Sequence, residues 1–274
     1  MIAANDFAFL ARLLNRRAGL YLTHDKIALL ERRLAPVMRR FDFRDMAALM
    51  GELRLGREAL AEAVTEAMCV NDTGFFRDAD LFRRLQERVL PRLVAGRARE
   101  KCLRLWSAAS STGQEAYSLA ILLDEMGLTR EGWSIELIAT DLSAEAIERA
   151  ERGRYAAYEI ERGLDVRMVR WFRRDGSEWV VDAALRRMIS FRRFNLLDSF
   201  GWLDDLDLIL CRNVLMYFDH ATRAGVLARM TDTLCADGVL VLGENETPEM
   251  GDFVSGADGP GIYAKSRAAI ARAS

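Results

Sequence analysis

The sequence predicts an α/β protein built on an open, mostly parallel, doubly wound sheet. An all-helical segment precedes the sheet, and one small antiparallel hairpin interrupts it. Three observations predict this. From residue 103 onward, short apolar runs alternate with stretches of helical spacing, as in strand-helix-strand units. Five such runs are each followed by a polar side chain, namely Glu115, Asp141, Asn195, Asn213 and Glu244. One parallel sheet would gather these at the carboxyl ends of its strands, where open α/β sheets bind ligands. Through about residue 70, by contrast, the apolar faces recur only at helical spacing.

Within the helical segment, Phe7, Leu10, Leu13 and Leu14 form one face. Ile27, Leu29, Leu30, Leu34, Val37 and Met38 form another, with Thr23 as its N-cap and Pro36 expected to kink or interrupt it. Residues 1–60 carry 11 basic and 7 acidic side chains, a net +4 in a chain whose total is −2. Two readings stand for this basic cluster: a solvated helix face, or a docking surface for an acidic partner. Next comes Asn71-Asp72-Thr73-Gly74-Phe75-Phe76-Arg77-Asp78, then Phe82. Adjacent aromatics between Asn-x-Thr and Arg are unusual in a linker. Packing of the rings from domain to domain, with the polar residues as caps and a surface charge, is the plain alternative.

Leu103 and Leu105 alternate with Arg104 as a strand, Ala108 to Thr112 are all small, and Gly113 supplies a turn. Leu119, Ala120, Leu122 and Leu123 then return at helical spacing. One glycine in this loop satisfies neither G-x-G-x-x-G nor G-x-x-x-x-G-K-[ST]. Glu115 at the helix mouth would repel a phosphate and suit a cation. S-adenosylmethionine (SAM) carries a sulfonium and an ammonium and no phosphate. The competing reading is an ordinary connection in which Glu115 complements the helix dipole. Residues 134–140 form a second strand closed by Asp141, placed to accept from ribose hydroxyls or to cap the next helix. Ser143 caps that helix, which runs through Ala144, Ile147 and Ala150. Residues 170–181 read as a hairpin on a tight Asp175-Gly176 turn. Strands over 188–194, 206–211 and 238–243 follow, ending in Asn195-Leu196-Leu197, Arg212-Asn213-Val214 and Glu244-Asn245-Glu246.

Composition excludes several classes. The near-neutral charge gives no footprint for a nucleic-acid partner. No apolar run approaches a membrane span, and no signal peptide is visible, so a cytoplasmic, unembedded chain is expected. The four cysteines lack C-x-x-C spacing and read as reduced thiols, with Cys102 and Cys211 buried beside or within strands. Two distant histidines, His24 and His220, argue against a zinc site or a His-based triad, and no metal is expected.

The chain resembles the CheR family of SAM-dependent chemotaxis receptor glutamate methyltransferases over nearly its full length. The residues that carry this are Asn71-x-Thr73-x-Phe75-Phe76-Arg77, Trp106-Ser107-Ala108 through Ser111-Thr112-Gly113-Gln114-Glu115-Ala116-Tyr117-Ser118, Ala139-Thr140-Asp141, Asn195-Leu196-Leu197, and Cys211-Arg212-Asn213-Val214-x-x-Tyr217-Phe218. The resemblance implies a class I (Rossmann-like) methyltransferase sheet with an N-terminal helical domain and a small antiparallel β-subdomain. Its expected boundaries are 1–70 for the helical domain, 71–82 for a linker closing over the cofactor, and 83–274 for the methyltransferase domain. The subdomain is expected over about 168–190. By similarity, Asn71, Thr73 and Arg77 close over SAM, Glu115 lies near its methionine moiety, and Asp141 lies on the ribose. Asn195 and Leu196 hold the adenine end, Arg212 and Asn213 line the pocket beside the sulfur, and Tyr217 faces the substrate carboxylate.

The implied reaction is methyl transfer to glutamate side chains of chemoreceptor cytoplasmic helices, giving a methyl ester and S-adenosylhomocysteine (SAH). Arg77 and Tyr217 are the expected catalytic pair, and the basic N-terminal helices the expected receptor contact. A monomer is expected. Ala109, Ser110, Gln114 and Ala116 stand where the family commonly has Gly, Cys, Glu and Pro, substitutions that keep the loop small or preserve Glu115. The hairpin turn lacks the extra glycines with which some members grip a receptor's C-terminal pentapeptide, so no such tether is expected. The alternatives are a class I methyltransferase with another acceptor and a non-catalytic module that binds SAM or SAH.

Overall fold

A computed structural model describes residues 2–164, 166–248, 252–256, 258–266 and 269–271. The chain divides into two compact units. One is Met1–Val70 with Tyr217–Arg223, and the other is Asn71–Met216 with Ala224–Ser274.

The first unit is helical. Its helices are α1 (Ala4–Ala18), α2 (Ile27–Arg40), α3 (Met46–Arg54) and α4 (Glu58–Met68). Leu10, Leu14, Leu30, Leu34, Leu49, Met50, Leu60 and Val64 fill its core, as the helical spacing requires. Two expectations change. Thr23 precedes a 3-10 turn, His24–Lys26, and its hydroxyl bonds Asp25 rather than capping backbone N–H groups. Helix α2 also runs through Pro36 without interruption. Pro36 lies in the last turns, so the helix gives up one ladder bond near an end where few remain.

The second unit begins with α5 (Ala79–Arg84), a π-helical turn (Leu85–Val89) and α6 (Leu90–Gly96). The first part of the sheet is β1 (Cys102–Ala108), α7 (Gln114–Glu125), β2 (Ser134–Asp141) and α8 (Ala144–Arg152). A short strand β3 (Arg154–Ala156) and helix α9 (Ala157–Gly163) lead to the hairpin β4 (Phe172–Asp175) and β5 (Glu178–Val181). Then follow α10 (Ala183–Met188), β6 (Ile189–Arg193), β7 (Leu206–Cys211), α11 (His220–Thr233) and β8 (Leu234–Leu242). Strands β9 (Phe253–Ser255) and β10 (Ile262–Lys265) complete it.

The main sheet has the order β6-β2-β1-β7-β8-β10-β9. Its first five strands are parallel, and β10 is antiparallel to both neighbours. The chain builds outward from β1 through β2 to β6, then returns to lay β7 on the other side of β1. The β1/β7 boundary is therefore the switch point, beyond whose carboxyl ends open α/β sheets bind ligands. All six residues of β7 are buried, as expected of a central parallel strand covered on both faces.

The hairpin is as expected, with Asp175 paired to Glu178 across a two-residue turn and Gly176 at φ +63°. Strand β3 joins it to give the order β3-β5-β4. Three residues of this kind carry too little alternation to be read from sequence. None of the four cysteines is in a disulfide; Cys211 is buried, but Cys102 at the start of β1 is only half-buried.

Candidate active site

The loop between β1 and α7 takes an unusual path. Ala109, Ser111 and Gly113 have φ of +56°, +52° and +92°, so every second residue is left-handed. At Gly113 a Cβ would lie 2.8 Å from the Cβ of Ala150 in α8, so only glycine fits. Neighbouring groups hold this path. The N–H of Ser110 donates to the Thr140 carbonyl at 2.8 Å, and the N–H of Ser111 donates to Asp141 Oδ2 at 2.7 Å. The Tyr155 hydroxyl donates to the Thr112 carbonyl at 2.6 Å. The N–H groups of Ser110 and Ser111 are thus bonded within the protein and are not free to cradle a phosphate.

A buried charge cluster lies beside it. Glu115, in the first turn of α7, accepts from the Ser107 hydroxyl at 2.8 Å and from Arg212 Nη1 at 2.9 Å. Arg212 follows β7, and its side chain is only 2% exposed. Its Nη2 also donates to the Arg77 carbonyl at 3.1 Å and to the Asp78 carboxylate. One arginine between two carboxylates leaves a net −1. Glu115 is therefore ion-paired, yet the cluster keeps a negative excess suited to a cation. The Ser110 and Ser111 hydroxyls and Arg212 Nε are buried with no protein partner among the described residues. Orphaned polar atoms of this kind are rare without a ligand or water to meet them.

The remaining strand ends are occupied as follows. Asp141 is buried, and its two oxygens accept from the N–H groups of Ser111 and Ser143. Asn195, after β6, accepts from the Leu197 N–H at 3.1 Å in an Asx turn, and Leu196 is buried with its carbonyl bonded to Arg229. Asn213 has φ +58° and donates its N–H to Glu246. Glu244 is exposed. Tyr217 closes the 3-10 turn Leu215–Tyr217, falls in the first unit, and accepts there from the Tyr21 N–H at 2.7 Å.

The linker forms its own group. Asn71, Thr73 and Arg77 line a cavity of about 480 Å³ with Gln114, Tyr158 and Glu159. Glu115, Asp141, Asn195, Leu196, Arg212 and Asn213 do not line it. Phe75 packs edge-on against Tyr155 and Phe172 at 4.9 and 5.2 Å, both within the second unit. Among the described residues, the Arg77 side chain reaches only the linker's own Asp72, through the carbonyl at 2.9 Å and the carboxylate at 3.5 Å. Sequence reasoning missed two residues, Asp78 and Glu246. Asp78 stood within the quoted linker, and its pairing with Arg212 crosses 134 positions.

A parallel sheet of this order, with a buried charge cluster of net −1 at the carboxyl ends of its central strands, suits a cationic rather than a phosphorylated ligand. Comparison makes the class specific. Residues 71–253 match the family described as CheR methyltransferase, SAM binding domain, and residues 5–69 match CheR methyltransferase, all-alpha domain. The chain is 37% identical over 252 residues to chemotaxis protein methyltransferase 1 of Pseudomonas aeruginosa, covering 90% of this chain and 92% of that relative. It is 35% identical over 247 residues to chemotaxis protein methyltransferase Cher2 of Pseudomonas putida, covering 88% and 90%. The chemotaxis protein methyltransferase of Salmonella typhimurium is 31% identical over 254 residues, covering 89% and 85%.

The protein is thus a SAM-dependent methyltransferase. It belongs to the CheR methyltransferase family. Among the described residues, no cluster of His, Cys, Asp or Glu fits a metal ion, and no helix is long and apolar enough to cross a membrane.

Proposed function

We propose that this chain methylates glutamate side chains in the cytoplasmic helices of chemoreceptors, using SAM as donor and leaving SAH. The observation that carries the reading is the 37% identity to a chemotaxis protein methyltransferase across nine-tenths of both chains. SAM supplies an electrophilic methyl group. Glu115, Asp78 and Arg212 would hold its cationic end through their net negative charge. Asp141 would take the ribose from its place at the end of β2, where its oxygens also accept the N–H groups of Ser111 and Ser143. Asn195 and Leu196 would border the adenine, and Asn213 the sulfur. The linker, 71–82, would close over the donor.

The acceptor needs no general base. A solvated glutamate has a pKa of about 4.3 and is already ionised at neutral pH. The protein's task is to hold oxygen, methyl and sulfur in line. Arg77 would orient the acceptor carboxylate by charge, and Tyr217 would donate a hydrogen bond to it. The basic N-terminal helices would meet the acidic receptor helix, and such exposed pairs weaken with ionic strength. The two-residue turn at Gly176-Ser177 offers no glycine-rich loop for a C-terminal pentapeptide, which supports untethered action.

The test is incubation with methyl-labelled SAM and a panel of chemoreceptor signalling domains, followed by mild alkali. Carboxyl methyl esters release labelled methanol under base. Label that stays on the protein, as methylated nitrogen does, contradicts the reading.

A further inference from the structure

The loops that follow β7 and β8 converge on one buried carboxylate. Glu246 is only 5% exposed. Its Oε2 accepts from the N–H of Asn213 at 2.7 Å and of Gly243 at 2.9 Å. Its Oε1 accepts from the N–H of Met216 at 3.2 Å. No ion pair to Glu246 occurs among the described residues, so backbone donors alone replace the water it loses. Burying a carboxylate is costly, and three donors from two loops are a specific way of offsetting it.

The turn around it accounts for its direction. The Glu246 N–H donates to the Gly243 carbonyl at 3.0 Å and closes Gly243-Glu244-Asn245-Glu246 into a tight turn. That turn leaves Glu244 in solvent and aims Glu246 inward. A Cβ on Gly243 would stand 2.8 Å from Glu246 Oε2 and 2.9 Å from Asn213 Nδ2, so glycine makes the close approach possible.

The segment held is the functional one. Asn213 is kept at φ +58°, a conformation that asparagine tolerates at some cost. Arg212 before it clamps Glu115 and Asp78, and Met216 precedes Tyr217 in the chain. We infer that Glu246 is a positioning residue for methyl transfer: its carboxylate fixes the Arg212–Met216 loop by three backbone N–H bonds and acts through that loop without touching either substrate. This rests on the proposed glutamate methylation.

Two variants of the full chain test it. Glu246→Gln keeps the side-chain volume but replaces one acceptor oxygen by a donor, which opposes at least one of the three N–H groups. Gly243→Ala keeps the carboxylate and crowds it away from Asn213. Initial rates with labelled SAM and a receptor signalling domain, SAH affinity by calorimetry, and thermal melts are measured for each. In folded variants the expected result is a kcat about tenfold lower and SAH affinity several-fold weaker, with receptor KM within about twofold of the parent. Folded variants with parental kcat overturn the inference, as does a loss of activity that only tracks the unfolded fraction. If Glu246→Gln does not fold, Gly243→Ala decides by the same criteria. A parent that binds SAH but methylates no receptor refutes the proposed function instead. In that case parental SAH affinity in the folded variants still overturns the role given to Glu246.

Discussion

Two arginines of the second unit are anchored in opposite ways. Arg212 has a side chain 2% exposed and bonds two carboxylates and a carbonyl contributed by other segments. The Arg77 side chain is 39% exposed and, among the described residues, bonds only Asp72, five positions away in its own linker. The linker itself is held through other atoms. Phe75 is stacked on Tyr155 and Phe172, and the Arg77 carbonyl and Asp78 carboxylate are bonded to Arg212. The linker backbone is therefore fixed while the Arg77 side chain stays free to change partners. This separates two tasks. On the proposed function, the charge around the donor would be built into the fold, whereas the charge for the acceptor would be carried on a side chain that exchanges Asp72 for a substrate carboxylate.

That contrast ranks the consequences of mutation. Arg212→Ala should have the largest effect, because it leaves Glu115 buried without its cation. A loss of about 3–5 kcal/mol in denaturant-derived stability is expected, with no calorimetric signal from SAH. Unchanged stability would show that the cluster is not a structural core. Arg77→Ala should fold normally and bind SAH as the parent does, yet lose about a hundredfold in kcat, the scale set by misplacing a reacting group. Asp141→Ala should come next and invert that pattern. SAH affinity should weaken about tenfold while kcat at saturating SAM holds, since Asp141 both anchors the Ser111 N–H and lies on the proposed ribose path.

The sequence made the frame of this site legible and left its internal wiring hidden. The five parallel strands announced themselves by apolar runs, and Glu115, Asp141, Asn195 and Asn213 do follow their carboxyl ends. The pairing of Glu115 with Arg212 was not legible, because nothing local marks a bond to an arginine 97 positions away. Asp78 was hidden for the same reason. Glu244 and Glu246 illustrate a different failure. Spaced by two, they would share a face of an extended strand, but the turn from Gly243 reverses the chain and buries the second. Gly-Glu-Asn-Glu was in principle readable as a turn from its Gly and Asn. Strand β3 was illegible because three residues take their conformation from the hairpin they join.

Ala109 gives the smallest effect and sharpens the comparison from the preformed side. It holds φ +56° where a residue with a Cβ is strained, at a position where the family commonly has glycine. Ala109→Gly should raise stability by about 0.5–1 kcal/mol in urea melts, the relief of left-handed strain exceeding the added chain entropy. A destabilised variant would mean that the Cβ contributes packing that outweighs the strain.

Calorimetric titration of SAH into the parent and into Arg77→Ala, with turnover measured on the same preparations, tests the division of labour most directly. Equal affinities within about twofold, alongside a large loss of kcat, are the expected result. An Arg77→Ala protein that loses donor affinity in proportion to its rate would contradict it, and would place Arg77 with Arg212 as part of the donor's own site.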